Sequence, residues 1–395
     1  MPSLSSTVHG IRAGVFAELQ KHIDAHAARG GDLVPLQIGD TSIDPPVEAR
    51  FDPGIGADPA LYRYGATAAL GPLRAAIARW LGAIRGIADV DPERELLVGC
   101  GGTHAIFCAA RSILDPGDEI LLAAPYWPLA HGILATCGAK IVEVPLTDRL
   151  YADPSLDAGE LFRAHMTDRT RALYFITPNN PDGKILSRRH LEQLAALAAE
   201  RDLWVIADEV YADHAFESPH VSFCTLPGMR ERTLTAYSLS KSHALAGARI
   251  GYVLAPPQVI AGARRVSTHT VFNVPVITQR AALAALEAGP RWVDDARLRY
   301  REARDAAVQG LAGLPVDFAV AEGGTYLFLD FRRVLRGRPL RALLELAIER
   351  GVLLAPGEAF GQAYADWARL CYSAVAPDRL QIGLARLRDA ITALG

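Results

Sequence analysis

The sequence has no run of roughly 18 uninterrupted apolar residues, which excludes a helix built to cross a bilayer. Cysteine is sparse: Cys100, Cys108, Cys137, Cys224 and Cys371 make five among 395 residues. Their number is odd, and no C-x-x-C pair or Cys/His ligand spacing occurs, so neither a disulfide scaffold nor a metal site is expected. Reduced thiols in a cytoplasmic protein fit that usage. The opening MPSLSSTVHGIRAG lacks an apolar signal core, so export is not expected either. A basic excess is also missing. The 41 Lys and Arg stand against 44 Asp and Glu, leaving a formal charge of -3, and nucleic acid is not an expected partner. No internal repeat, low-complexity tract, G-x-G-x-x-G or G-x-x-x-x-G-K-[ST] is found, so a nicotinamide dehydrogenase or a P-loop enzyme lacks its fingerprint.

What is present is a large globular core. Half the residues are hydrophobic and 22% are charged, and the length suits two domains. Short apolar runs alternate with helical patterns. Helices are predicted at 71–85, 102–114 and from Ser187, which can cap the helix that follows it; strands are predicted at 95–98, 120–124, 141–144, 172–176, 203–207, 234–237 and 252–255. Nearly continuous apolar strands in a β–α rhythm predict an α/β fold, with a mostly parallel central sheet sandwiched by helices. Beyond about Gly289 a charged helix at 291–311, the strand-like TYLFLDF and RLCYS, and a helix at 339–350 predict a smaller α+β domain. The expected division is a large domain of 46–289 and a small domain of 1–45 with 290–395.

Four segments carry chemistry. In AYSLSKSHALAGARIG, Lys241 follows a strand and is flanked by small residues, where its amine can be reached yet partly desolvated; a surface lysine would look similar. YFITPNNPDGKI is the second. In VIADEVYADHAF, Asp208 ends a strand, and a carboxylate there needs a cationic partner such as a protonated pyridine, unless it merely caps a helix. In LVGCGGTHAI, glycines between a strand and a helix form an anion cradle of backbone N–H groups.

Taken together and in this order, the motifs resemble the fold type I pyridoxal-phosphate enzymes, in particular the class I/II aminotransferases, from about Leu36 to Tyr372. The resemblance implies pyridoxal 5'-phosphate as cofactor, with Lys241 as its Schiff-base lysine and proton shuttle. Asp208 would pair with the pyridine nitrogen, and Asn180 and Tyr211 would bond the phenolic oxygen. Gly101, Gly102, Thr103, Ser238 and Arg249 would hold the phosphate. Trp127, or Tyr126 beside it, would stack on the ring. Arg369 would grip the substrate α-carboxylate, with Gly39 and Asn180 beside it. Tyr64, or Tyr62, would reach the phosphate in a neighbouring subunit, implying a homodimer with shared active sites. Asn180–Pro181 is a candidate cis peptide.

There are departures from the family pattern. Asp182 replaces a usual threonine, Ala69 a frequent glycine, and Ala130 stands where some relatives place a histidine bonded to the aspartate. No motif places a second substrate arginine; Arg12, Arg29 and Arg265 are candidates. The expected activity is transfer of an α-amino group from an L-amino acid to a 2-oxo acid. Elimination, cyclisation or oxidation of an amino acid on the same scaffold is the alternative, and a cofactor-binding sensor module is disfavoured because no helix-turn-helix domain precedes the motifs.

Overall fold

The computed structural model describes residues 2–9, 11, 19–51 and 58–394. Among these residues twelve strands are formed: β1 Val34–Pro35, β2 Leu96–Cys100, β3 Glu119–Ala124, β4 Lys140–Pro145, β5 Thr170–Ile176, β6 Trp204–Asp208, β7 Thr233–Ser238, β8 Ile250–Leu254, β9 Tyr326–Asp330, β10 Val352–Leu353, β11 Ala355–Pro356 and β12 Trp367–Cys371. Seven of them make one sheet, ordered β2-β8-β7-β6-β5-β3-β4. All its pairings are parallel except those of β8, which runs antiparallel to both β2 and β7.

The strands are apolar because both faces are covered. Along β5, Ala172, Tyr174 and Ile176 face one cluster, with Leu122, Ile206 and helices Gly101–Arg111 and Pro128–Thr136. Leu173 and Phe175 face the opposite cluster, with Val205, Ala207 and helix Arg188–Glu200. The period-two alternation of a strand sends neighbours to opposite layers. Ser187 caps the last helix, accepting from His190 N at 3.2 Å.

A second core gathers Val34 and Leu36 with Leu327, Leu329, Leu343, Ile348, Leu370 and Leu387. Here β11-β12-β9 form a three-stranded antiparallel sheet, and β1 pairs parallel with β10. Helix Arg291–Leu311 serves both cores: Val293 packs in a cluster of the large sheet, Ala307 and Leu311 in this one. The short helix Ser6–His9 instead touches Pro128–Thr136. Among the described residues no helix is long and apolar enough to cross a membrane, and all five cysteines are free thiols.

Candidate active site

The carboxyl ends of β5, β6 and β7 deliver Ile176, Asp208 and Ser238 to one edge of the sheet, where open α/β sheets bind ligands. Because β8 is reversed, its beginning lies at this edge too: Cys100, Ile250, Gly251 and Ser238 are in register. Arg249, immediately before β8, therefore meets the end of β2. A cavity of about 400 Å³ opens there. Lining it are Gly102, Thr103, Trp127, Asn180, Asp208, Tyr211, Ser238, Lys241 and Arg249, with Gly39 and Arg369 arriving from the second core.

Gly101 has a φ of +80°, a conformation that favours glycine. A side chain there would collide with the Arg249 guanidinium. The start of helix Gly101–Arg111 is thus open to an anion, with Arg249 directly above it. Ser238 Oγ accepts from Ser240 N at 3.2 Å, which holds the hydroxyl at the same end.

Lys241 is half-buried, and its Nζ donates to Gly39 O at 2.5 Å. Gly39 must be small, since a Cβ would run into the Tyr326 hydroxyl. Its segment is strapped to β12 and the residues after it: Cys371 N donates to Leu36 O at 2.7 Å and Ser373 Oγ to Asp40 O at 2.7 Å.

Asp208 is buried and accepts from Tyr174 Oη at 2.8 Å and from Val210 N at 3.3 Å. Among the described residues it has no cationic partner. Burial pushes its carboxyl up to about 6, against the pull of the Tyr174 hydrogen bond. Such a carboxylate calls for a cation in the cavity.

Arg369 donates from Nη1 to Asn180 Oδ1 at 2.9 Å and from Nη2 to Gln37 O at 2.7 Å, while its buried Nε has no partner. Its guanidinium lies over the Tyr326 ring at 4.3 Å. Tyr211 Oη and Tyr326 Oη are 2.7 Å apart, and burial raises the Tyr211 hydroxyl well above its ordinary range.

Trp127 and Tyr126 part company here. Trp127 lines the cavity, whereas Tyr126 is fully buried and donates to Glu143 at 2.6 Å. Tyr64 lies outside the cavity of its own chain, 87% exposed, edge-on to Phe272 at 5.0 Å; Tyr62 is 76% exposed. Arg29 and Arg265 are exposed and away from the cavity, and Arg12 lies outside the described residues. The cis bonds among the described residues are Ala124–Pro125 and Thr177–Pro178, so the expectation for Asn180–Pro181 is corrected: that bond is trans.

Of the departures, Asp182 has a local reason and nothing in the structure explains Ala69. Asp182 is buried among three donors, Thr147 Oγ1, Asn179 Nδ2 at 2.9 Å and Lys184 N at 3.0 Å. Ala69 takes a φ of +72°, the conformation a glycine would adopt freely. Sequence reasoning missed Tyr326, Ser240, Ile106, Ile38 and Leu129, all of which line the cavity. Tyr326 begins a strand that runs on through Leu327, Phe328 and Leu329 and reads as core; only the need of a buried hydroxyl for a partner hints at more.

The family model for aminotransferase class I and II matches residues 32–387. The chain is a class I/II aminotransferase. An arginine–pyruvate transaminase of Pseudomonas aeruginosa is 34% identical over 351 residues, covering 88% of this chain and 87% of that protein. An aspartate/prephenate aminotransferase of Thermus thermophilus is 33% identical, with 86% and 88% covered. The solved structure of Thermus thermophilus aspartate aminotransferase with maleate superposes with a TM-score of 0.88 at 31% identity, covering 99% of this chain and 100% of that one. The aminotransferase accordingly moves an amino group from an amino acid to a 2-oxo acid, on a fold type I framework.

Proposed function

We propose that the aminotransferase holds pyridoxal 5'-phosphate in this cavity and uses Lys241 as the group that carries it and moves the substrate proton. The observation that bears most weight is the buried Asp208 carboxylate, which faces a cavity shared with Lys241 and lacks a cation. The residues fit the group. The helix start at Gly101–Thr103, Ser238 and Arg249 suit a phosphate dianion. Asp208 suits a protonated ring nitrogen, Trp127 a stacked ring, and Asn180 with Tyr211 a phenolate oxygen. When bound, the cofactor acts as an electron sink for the substrate Cα. Arg369 would orient the α-carboxylate, with its unpartnered Nε and with Asn180 and Gly39 beside it.

The side-chain end of the cavity favours donors with one carboxylate. Among the described residues the cations that line it, Lys241, Arg249 and Arg369, all have other duties, and the remaining wall includes Ile38, Ile106, Leu129 and Val210, with Asp40 as the further carboxylate. We also assign Tyr64 to the partner's site in a homodimer, residues 46–289 to a large domain, 1–45 with 290–395 to a small one, and the free thiols to a cytoplasmic setting.

The test is a set of single half-reactions. Purified protein should absorb in the visible and convert to the pyridoxamine form with L-leucine or L-arginine, more readily than with L-aspartate. Lys241→Ala should fold normally and lose turnover. A colourless protein that cannot be reconstituted, or an active Lys241→Ala, would refute the proposal. Ammonia release or oxygen uptake instead of conversion would favour the alternative chemistry.

A further inference from the structure

Tyr174 is buried in the large sheet, in the stretch 172–176 of β5 whose other residues are apolar. In the parallel pairing of β5 with β6, Ile176 lies opposite Asp208. Tyr174 is two residues earlier on β5 and so shares the face of Ile176. Its side chain is long enough to run along that face and span the diagonal to the next strand. The hydroxyl ends 2.8 Å from Asp208 Oδ2. Val210 N reaches the other oxygen, Oδ1, at 3.3 Å, which is a weak bond.

A phenol fully removed from water must donate to something, and Asp208 Oδ2 is its partner. Burial beside this carboxylate raises the Tyr174 hydroxyl far above its ordinary range, so it remains a donor wherever the protein is folded. The neighbourhood accommodates the ring: Ala130, only a methyl group, belongs to the same packed cluster.

We propose that Tyr174 is a positioning residue for the aminotransferase reaction, fixing the rotamer of Asp208 and keeping it ionised so that it faces the ring nitrogen of the cofactor. The inference rests on the reading that this cavity binds pyridoxal phosphate. A tyrosine from the adjacent strand, not a residue from the Trp127 helix, supports the acid. One oxygen of Asp208 is committed to Tyr174, and the other, held only by the weak bond from Val210 N, keeps a lone pair for the cavity. Loss of the hydroxyl would leave the carboxylate to hold a proton of its own, and would weaken its claim on a pyridinium.

The test compares two ligands on the reconstituted protein. Tyr174→Phe keeps the ring and removes the donor. By equilibrium dialysis it should bind pyridoxal phosphate about tenfold more weakly than wild type, as expected for one hydrogen bond to a charged group. The carbocyclic analogue, with CH in place of the ring nitrogen, should lose less than about twofold, since it makes no bond to Asp208. In an Asp208→Asn background the same Tyr174→Phe change should cost nothing further, and that comparison stands if the single variant melts poorly. Equal loss for both ligands would make Tyr174 a packing residue and overturn the inference, as would no loss for either. Wild type unable to bind pyridoxal phosphate would strike the underlying reading itself.

Discussion

Arg369 reaches the cavity with two of its nitrogens committed to Asn180 and Gln37 and the third unpartnered. A planar fork spreads its donors over three separate nitrogens, whereas an ammonium gathers its donors at one point and does not reach acceptors set that far apart. Arg369→Lys should therefore lower kcat/KM for the amino donor by about 100-fold while cofactor binding stays near wild type; steady-state kinetics with a visible-absorbance titration checks both. Asp182 gives a pH prediction. Burial raises its carboxyl from 3.8 to about 6. Folding thus tightens its hold on a proton, a gain in stability that is complete below about pH 4 and is lost as the pH rises through about 6. The ionised form costs the fold up to about 3 kcal/mol. Asp182→Asn keeps the oxygen that Asn179 and Lys184 use. It should melt with wild type at pH 4 and several degrees above it at pH 7, as thermal scans across that window would record.

At the scale of elements, the strand–turn–helix from β2 into Gly101–Arg111 has no slack. Gly101→Ala would force a side chain into a left-handed backbone and against Arg249, so pyridoxal phosphate affinity should fall at least tenfold, with a smaller loss of thermal stability of about 1–2 kcal/mol. The long apolar runs were legible as strands because both faces of the sheet are buried, and helix 71–85 was legible with Pro72 near its start, where a missing N–H does no harm. Less could be read where the pattern carries no information. A run of apolar residues does not state its direction, so the reversal of β8 was hidden. β1, β10 and β11 are two residues each, too short for any periodicity. Tyr174 and Tyr326 adjoin apolar runs of their strands and read as core, although their hydroxyls meet Asp208 and Tyr211. In the site itself, single motifs were ambiguous. Their order along the chain set Lys241, Asp208 and Arg249 apart from surface lookalikes and already favoured Trp127 over Tyr126, and Trp127 is the one of the two that lines the cavity.

For the whole molecule, the exposed Tyr64 bears on assembly. If its hydroxyl completes the partner's phosphate site, subunits with different defects should complement. A hybrid of one Lys241→Ala chain and one Tyr64→Ala chain would hold one site with both lesions and one with neither. Mixed after co-expression and purified as the heterodimer, it should recover about half of wild-type turnover per dimer, well above either parent. Activity no higher than the mean of the parents would show that each chain works with its own Tyr64. The reversal of β8 has a last consequence. Ser238, Lys241 and Arg249 belong to one short stretch that leaves the sheet at the end of β7 and re-enters it at the start of β8. The loop between them is a ruler: its length sets the spacing from the amine to the anion cradle. Divergence can reshape the walls of the cavity freely, but an inserted or deleted residue between 241 and 249 would pull the guanidinium out of step with the turn at Gly101.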